Sequence, residues 1–307
     1  MVNIMQFFQE LMGNILSSEW QWGLIGINAL MVSALLLLFK AKIGWVIGID
    51  VNGELSVKDN PAFGTVLAST FLAYFIVMSG ATSGGDVDVE YMSEILVMLQ
   101  YGVSGMIMLM VSRFINDKMV MRNLSVSEEL KKENMAVAIM DSGNTLATAM
   151  MIFAYMTWVQ GYNLTTISLV FYGWIVSQVL LSLLSFIRFK IYKSNDNHTL
   201  YDAIKNGNVA VAIRNTCYRL AIASTPLIAS MHVEFLEEDG LWQSTMILFY
   251  AIMLSLLILL ISTLMRKILF MSVDFRDEIN EQNNTGLAKV EGFIVIGVAI
   301  MLYGLLK

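Results

Sequence analysis

Long apolar runs alternate along the chain with short polar stretches. Eight runs have spanning length: 21–41, 61–80, 93–112, 135–157, 165–187, 209–231, 243–265 and 285–306. Each is near the ~20 residues a helix needs to cross a bilayer. Only helices or closed barrels satisfy their backbone in lipid, and these runs are too long and continuous for barrel strands. Ahead of them Ile4, Phe7, Phe8, Leu11, Met12, Ile15 and Leu16 follow helical spacing. That spacing predicts a short amphipathic helix lying at the membrane surface. Residues 1–20 hold no Lys or Arg, so the basic start of a cleavable signal is missing. The pattern predicts an all-α membrane protein with eight transmembrane helices. It divides into an interfacial segment (1–20) and two four-helix membrane domains (21–158 and 159–307).

The polar stretches repeat. "KDNPAFG", "KENMAVA", "NGNVAVA" and "QNNTGLA" place Asn60, Asn134, Asn208 and Asn284 at the openings of the even-numbered runs, 74, 74 and 76 residues apart. Two runs per period means that every repeat re-enters the membrane in the same direction, giving four parallel helix pairs. Six residues before each Asn stands an acid: Glu54, Glu128, Asp202 and Glu278. Four and eight residues after it stand small residues: Gly64 and Ala68, Ala138 and Ser142, Ala212 and Thr216, Ala288 and Gly292. Small-xxx-small spacing lets backbones approach closely in lipid. The even-numbered helices are therefore expected to form the inner set, used within one chain or between copies in a homo-oligomer. Asn is among the best N-cap residues, and Asn60 precedes Pro61 at the favoured first helical position. All four asparagines are expected to cap. The competing role is that converging helix N-termini attract an anion or headgroup.

Charge sets the orientation. Fifteen of the nineteen Lys and Arg fall in one set of loops, which includes Lys58, Arg113, Arg188 and Arg266. The opposite set holds only Lys307. By the positive-inside rule the basic loops are cytoplasmic and both termini lie outside, in the periplasm of a bacterial cell. The outer loops are acidic, which fits the easier crossing of acids as well as cation attraction.

A few charges fall inside the runs. Seven residues beyond each Asn stand Leu67, Asp141, Asn215 and Glu291; eleven beyond stand Phe71, Thr145, Arg219 and Val295. These positions share nearly one helix face, so Asp141, Asn215, Arg219 and Glu291, with Asn144 one turn past Asp141, form a candidate intramembrane polar cluster. Asp141 and Glu291 lie roughly 10 Å into their runs and Arg219 roughly 16 Å, at ~1.5 Å per residue. Such residues face a bundle interior, because an ionisable group at the bilayer centre costs ~3 kcal/mol or more unless paired or wet. They either line a path for protons, ions or a solute, or pair to fix which helices meet. Arg214 and Lys289 are expected to snorkel outward. Pro226 is expected to kink the sixth run.

With 57% hydrophobic and 14% charged residues, the composition excludes an ordinary soluble domain. The single Cys217 excludes an intrachain disulfide, and His198 and His232 have no partner at metal spacing. No nucleophile set, phosphate loop or zinc motif is visible, and nothing calls for a cofactor or for nucleic acid. The residues do not point to an enzyme.

The acid-xxxxx-Asn-x-small pattern, present four times with correct spacing and orientation, resembles the YjfL-like family (domain of unknown function 350). The resemblance covers nearly the whole chain after residue 20. It implies two tandem four-helix domains in a bacterial inner-membrane protein grouped with envelope-stress genes. The family carries no established activity. Two functions stay open: passing or sensing a small ion or solute through the polar interior, and a scaffold that organises lipid or recruits a cytoplasmic protein. In the second the segments near the four acids would be the docking face.

Overall fold

The computed structural model describes residues 19–82, 91–159, 161, 163–192, 194–195 and 198–307. The expected amphipathic helix before residue 19 lies outside them. The described chain runs α1 (Glu19–Ile47), α2 (Val51–Ser56), α3 (Pro61–Thr82), α4 (Tyr91–Ile115), α5 (Val126–Lys131), α6 (Met135–Trp158) and α7 (Leu164–Ile191). It continues through α8 (Leu200–Lys205), α9 (Val209–Ala223), α10 (Thr225–Ser230), α11 (Gly240–Leu269) and α12 (Thr285–Leu306). A π-helical turn extends α4 over Asn116–Val120, and another, Asp277–Glu281, precedes α12.

Among the described residues seven helical stretches are long and apolar enough to cross a membrane. The sixth expected run is not one of them, because it breaks between α9 and α10. Pro226 sits in the first turn of α10 and has no N–H to give to the carbonyl of Ile222. That carbonyl accepts from Thr225 Oγ1 at 2.8 Å, so the break leaves no buried acceptor unpaired there.

Helices α3, α6, α9 and α12 pack in sequence as a row. Small residues set the spacing. A Cβ on Gly143 of α6 would meet Thr216 of α9 at 2.5 Å, and one on Gly292 of α12 would meet Cys217 at the same distance. Hydroxyls in the row also cross between helices: Ser142 Oγ donates to the Thr65 carbonyl at 3.3 Å and Thr216 Oγ1 to the Ile139 carbonyl at 3.0 Å. α6 is the most enclosed, whereas α11 turns Phe249, Met253, Leu256, Leu260 and Leu264 outward. That outward stripe suits contact with lipid chains.

All four asparagines cap. Asn60 Oδ1 accepts from Phe63 N, Asn134 Oδ1 from Ala136 N and Val137 N, Asn208 Oδ1 from Val211 N and Asn284 Oδ1 from Leu287 N. The other end of each amide does separate work. Asn60 Nδ2 donates to the Leu130 carbonyl, Asn134 Nδ2 to those of Ile204 and Lys205, and Asn208 Nδ2 to those of Ile279 and Asn280. Each cap thus stitches its helix to the last turn of the short segment leading into the next helix of the row. Asn284, at the end of the row, donates to Glu278 instead.

The residue before each cap has positive φ: Asp59 (52°), Glu133 (61°), Gly207 (80°) and Asn283 (55°). This left-handed residue reverses the chain from short segment to long helix, and the cap N–H then reaches back to Glu54, Glu129, Ala203 or Glu278. The acids six places before the caps divide in role. Glu54 and Glu278 hold Asn60 and Asn284 at 2.8 Å. At Asn134 the acid in contact is Glu129, at 3.0 Å, and Glu128 is exposed. Asp202 forms a capping box with Thr199. The bond from Lys58, then that from Asn60, holds the Glu54 carboxyl below its usual range.

Replacing Asn134 by Ala removes a cap and two bonds to the next segment. We expect a loss of about 2 kcal/mol, against about 1 for Asn284→Ala, which has no next segment to lose. Unfolding of both variants in mixed micelles measures the difference; equal losses would contradict the stitching role.

Candidate functional site

The residues expected to form one polar cluster fall into two groups. In the deep group, α4 brings Arg113 against Asp141 of α6, with Nη2 2.6 Å from Oδ2 and both side chains buried. Asp117, in the π-helical turn, is near enough to interact electrostatically with both, and its buried Oδ1 has no hydrogen-bond partner. Arg219 of α9 is 3% exposed. It donates to Asn144 Oδ1 at 2.9 Å, to Ser185 Oγ at 2.6 Å and to Asn116 Oδ1 at 3.5 Å. Two arginines face two aspartates, so the group balances in charge.

The second group lies at the basic-loop end, where α7, α9, α11, α12 and the second π-helical turn meet. Glu291 of α12 takes an ion pair from Arg266 of α11 at 2.5 Å and a hydrogen bond from the Tyr218 hydroxyl at 3.0 Å. Arg188, in the last turn of α7, lies over the Tyr218 ring with its guanidinium carbon 4.1 Å from the centroid, and its Nε donates to Asn215 Oδ1 at 2.9 Å. Arg214 donates to Asn280 Oδ1 at 2.7 Å, while its buried Nε has no partner. These groups and Arg276 border a cavity of about 410 Å³ that reaches in to Glu291. Four arginines and one carboxylate line it.

Several expectations need correction. Asp141 and Arg219 belong to one group and Asn215 and Glu291 to the other. The ion-pair partner of Asp141 is Arg113. Arg113, Arg188 and Arg266 are not loop residues: they sit in the final turns of α4, α7 and α11 and turn inward. Arg214 does not snorkel away, but borders the cavity. Sequence reasoning missed Arg113, Asn116, Asp117, Ser185 and Tyr218 as members of these groups. The available signal was periodicity: Arg113, Asn116 and Asp117 continue the helical spacing of the third run past its apolar end.

With four repeated caps, inward-facing charges and tandem arrangement in view, the family comparison has a structural counterpart. The model of the Domain of Unknown Function family DUF350 matches residues 16–156 and again 160–306. The chain belongs to the DUF350 family. Two tandem copies of the domain account for nearly all of it. No curated protein and no solved structure matches the chain.

Asp141→Asn removes the ion-pair partner of buried Arg113 and leaves it only the more distant Asp117. The expected loss is about 3–5 kcal/mol, measured by unfolding in micelles. The double variant Arg113→Met, Asp141→Leu should recover most of it; a single variant as stable as the parent would contradict the buried pair.

Proposed function

We propose that this DUF350 protein crosses the bacterial inner membrane eight times, as four parallel helix pairs with both termini outside, and senses a small charged solute from the cytoplasm without conducting it. In this reading α9 and α10 together make the sixth crossing. One observation carries the proposal: the cavity with surplus charge ends at Glu291 and Tyr218, while Asp141, Asn144 and Arg219 are 1, 4 and 3% exposed and do not line it. A conducting path would need water along the deep charges, since an unpaired ion in that environment is costly. The deep group instead pairs Arg113 with Asp141 and holds Arg219 on Asn144 and Ser185, with as many arginines as aspartates, which suits a role in fixing helix positions.

The cavity borders the platform of short segments that the cap asparagines stitch together. Asn280 joins the two, receiving Arg214 on its side chain and Asn208 on its carbonyl. Solute binding beside Arg214 therefore bears on the segment that the chain would present to a cytoplasmic protein. A scaffold whose docking face is the four acids has less support, because Glu54 is buried against Asn60, Asp202 sits in a capping box and Glu278 holds Asn284, which leaves Glu128 exposed.

Purified protein in liposomes tests the non-conducting character. The expected result is no flux of protons, potassium, sodium, chloride or phosphate above empty vesicles. Flux of any of these that Arg219→Gln abolishes in a folded protein would overturn it.

A further inference from the structure

Surplus charge at the cavity identifies the chemistry of its occupant. Glu291 neutralises one arginine, Arg266, at 2.5 Å. Among the described residues no carboxylate lies within ion-pair distance of Arg188 or Arg214. Both are held by neutral groups: Arg188 by the Tyr218 ring and Asn215, Arg214 by Asn280. Glu291 is the one carboxylate that the arginines of the cavity share, and partly buried surplus positive charge is costly, so the site favours a further negative charge.

The free donors favour an oxyanion. Arg188 spends Nε on Asn215 and leaves its two terminal nitrogens without a hydrogen-bond partner among the described residues. Arg214 borders the same cavity, held to Asn280 through a terminal nitrogen, and adds its positive charge there. Arginine forks match the oxygens of phosphate and carboxylate in bidentate geometry, and the surplus charge disfavours a metal cation. The cavity volume of about 410 Å³ lies within the roughly 300–1,000 Å³ usual for small-ligand pockets.

We propose that the cavity bounded by Arg188, Arg214 and Arg266 is a binding site for a phosphate-type oxyanion, supplied either by a soluble phosphate or by the headgroup of an anionic phospholipid. The inference names the ligand class for the sensing function proposed above and rests on that reading for its physiological meaning. The site itself stands on the arginines alone. Glu291 at the inner end repels an anion that goes deeper, and the Tyr218 hydroxyl it occupies stays directed at it. The anion therefore seats between Arg188 and Arg214, toward the open end.

The test uses the full chain in nanodiscs of neutral phosphatidylcholine. In the first arm pyrophosphate is titrated and the unfolding temperature followed. In the second, retention of phosphatidylglycerol is measured by native mass spectrometry after mixed-lipid reconstitution. Saturable stabilisation by pyrophosphate, weakened at least tenfold in Arg188→Gln, assigns a soluble source. Selective retention of phosphatidylglycerol, lost in the same variant, assigns the headgroup. Arg276→Gln, at the exposed rim, provides a second variant should Arg188→Gln fail to fold, and a several-fold weakening is expected. Absence of both effects in folded wild-type protein overturns the proposal, as does binding that neither variant weakens. Flux in the liposome assay with anion binding intact would instead overturn the non-conducting reading and leave this site standing.

Discussion

Hydrocarbon supplies no water to an unpaired peptide group, and the architecture follows from how four asparagine amides meet that constraint. Each amide is used at both ends. Its oxygen closes the first turn of a long helix, and at three of the four caps its nitrogen closes the last turn of the neighbouring short segment. One side chain thereby satisfies backbone groups on two elements that are about 70 residues apart in sequence. The helix row is fixed in register at its N-terminal ends before any apolar packing is considered. Small residues then bring the same helices close along their length, where packing rather than hydrophobic transfer drives association.

Against that frame the charges separate by balance. The deep arginines and aspartates of α4, α6 and α9 are equal in number, and the ion pair between Arg113 and Asp141 is buried among them. The shallower group is not balanced. Arg188 and Arg266 come from helix ends and Arg214 from the second turn of α9, and of the three Arg266 is the one in an ion pair. Position matters here as well as count, since the imbalance occurs where a cavity opens at the basic-loop end. The same residue type thus serves two purposes at two depths. Arg219 fixes helices through Asn144 and Ser185, and Arg188 and Arg214 keep donors free.

The four caps were legible because they rest on local chemistry. Asn capping, the small residues beyond it and the proline break each involve neighbours within a few residues. The left-handed residue before each cap was less visible, since Asp59, Glu133 and Asn283 fill a conformation for which only Gly207 gives a plain signal. The pairing of charges was not legible. Arg113 lies 28 residues from Asp141, and a basic residue at the end of an apolar run reads as a loop anchor. The π-helical turn carries the helix past Arg113 and leaves it one turn inside. Arg188 was hidden in the same way, because nothing local tells that Tyr218 and Asn215 will receive it. Face periodicity grouped Asp141 with Glu291, but helix packing set them against different partners.

An experimental density map of the wild-type protein in a lipid nanodisc, at a resolution that shows ordered water, reads both the occupant of the cavity and the hydration of the deep charges. Density for a bound oxyanion is expected between Arg188 and Arg214, with no water around Arg219 and Asp141 that connects with it. A continuous file of water running from the cavity past Arg219 to the opposite face would contradict the non-conducting reading.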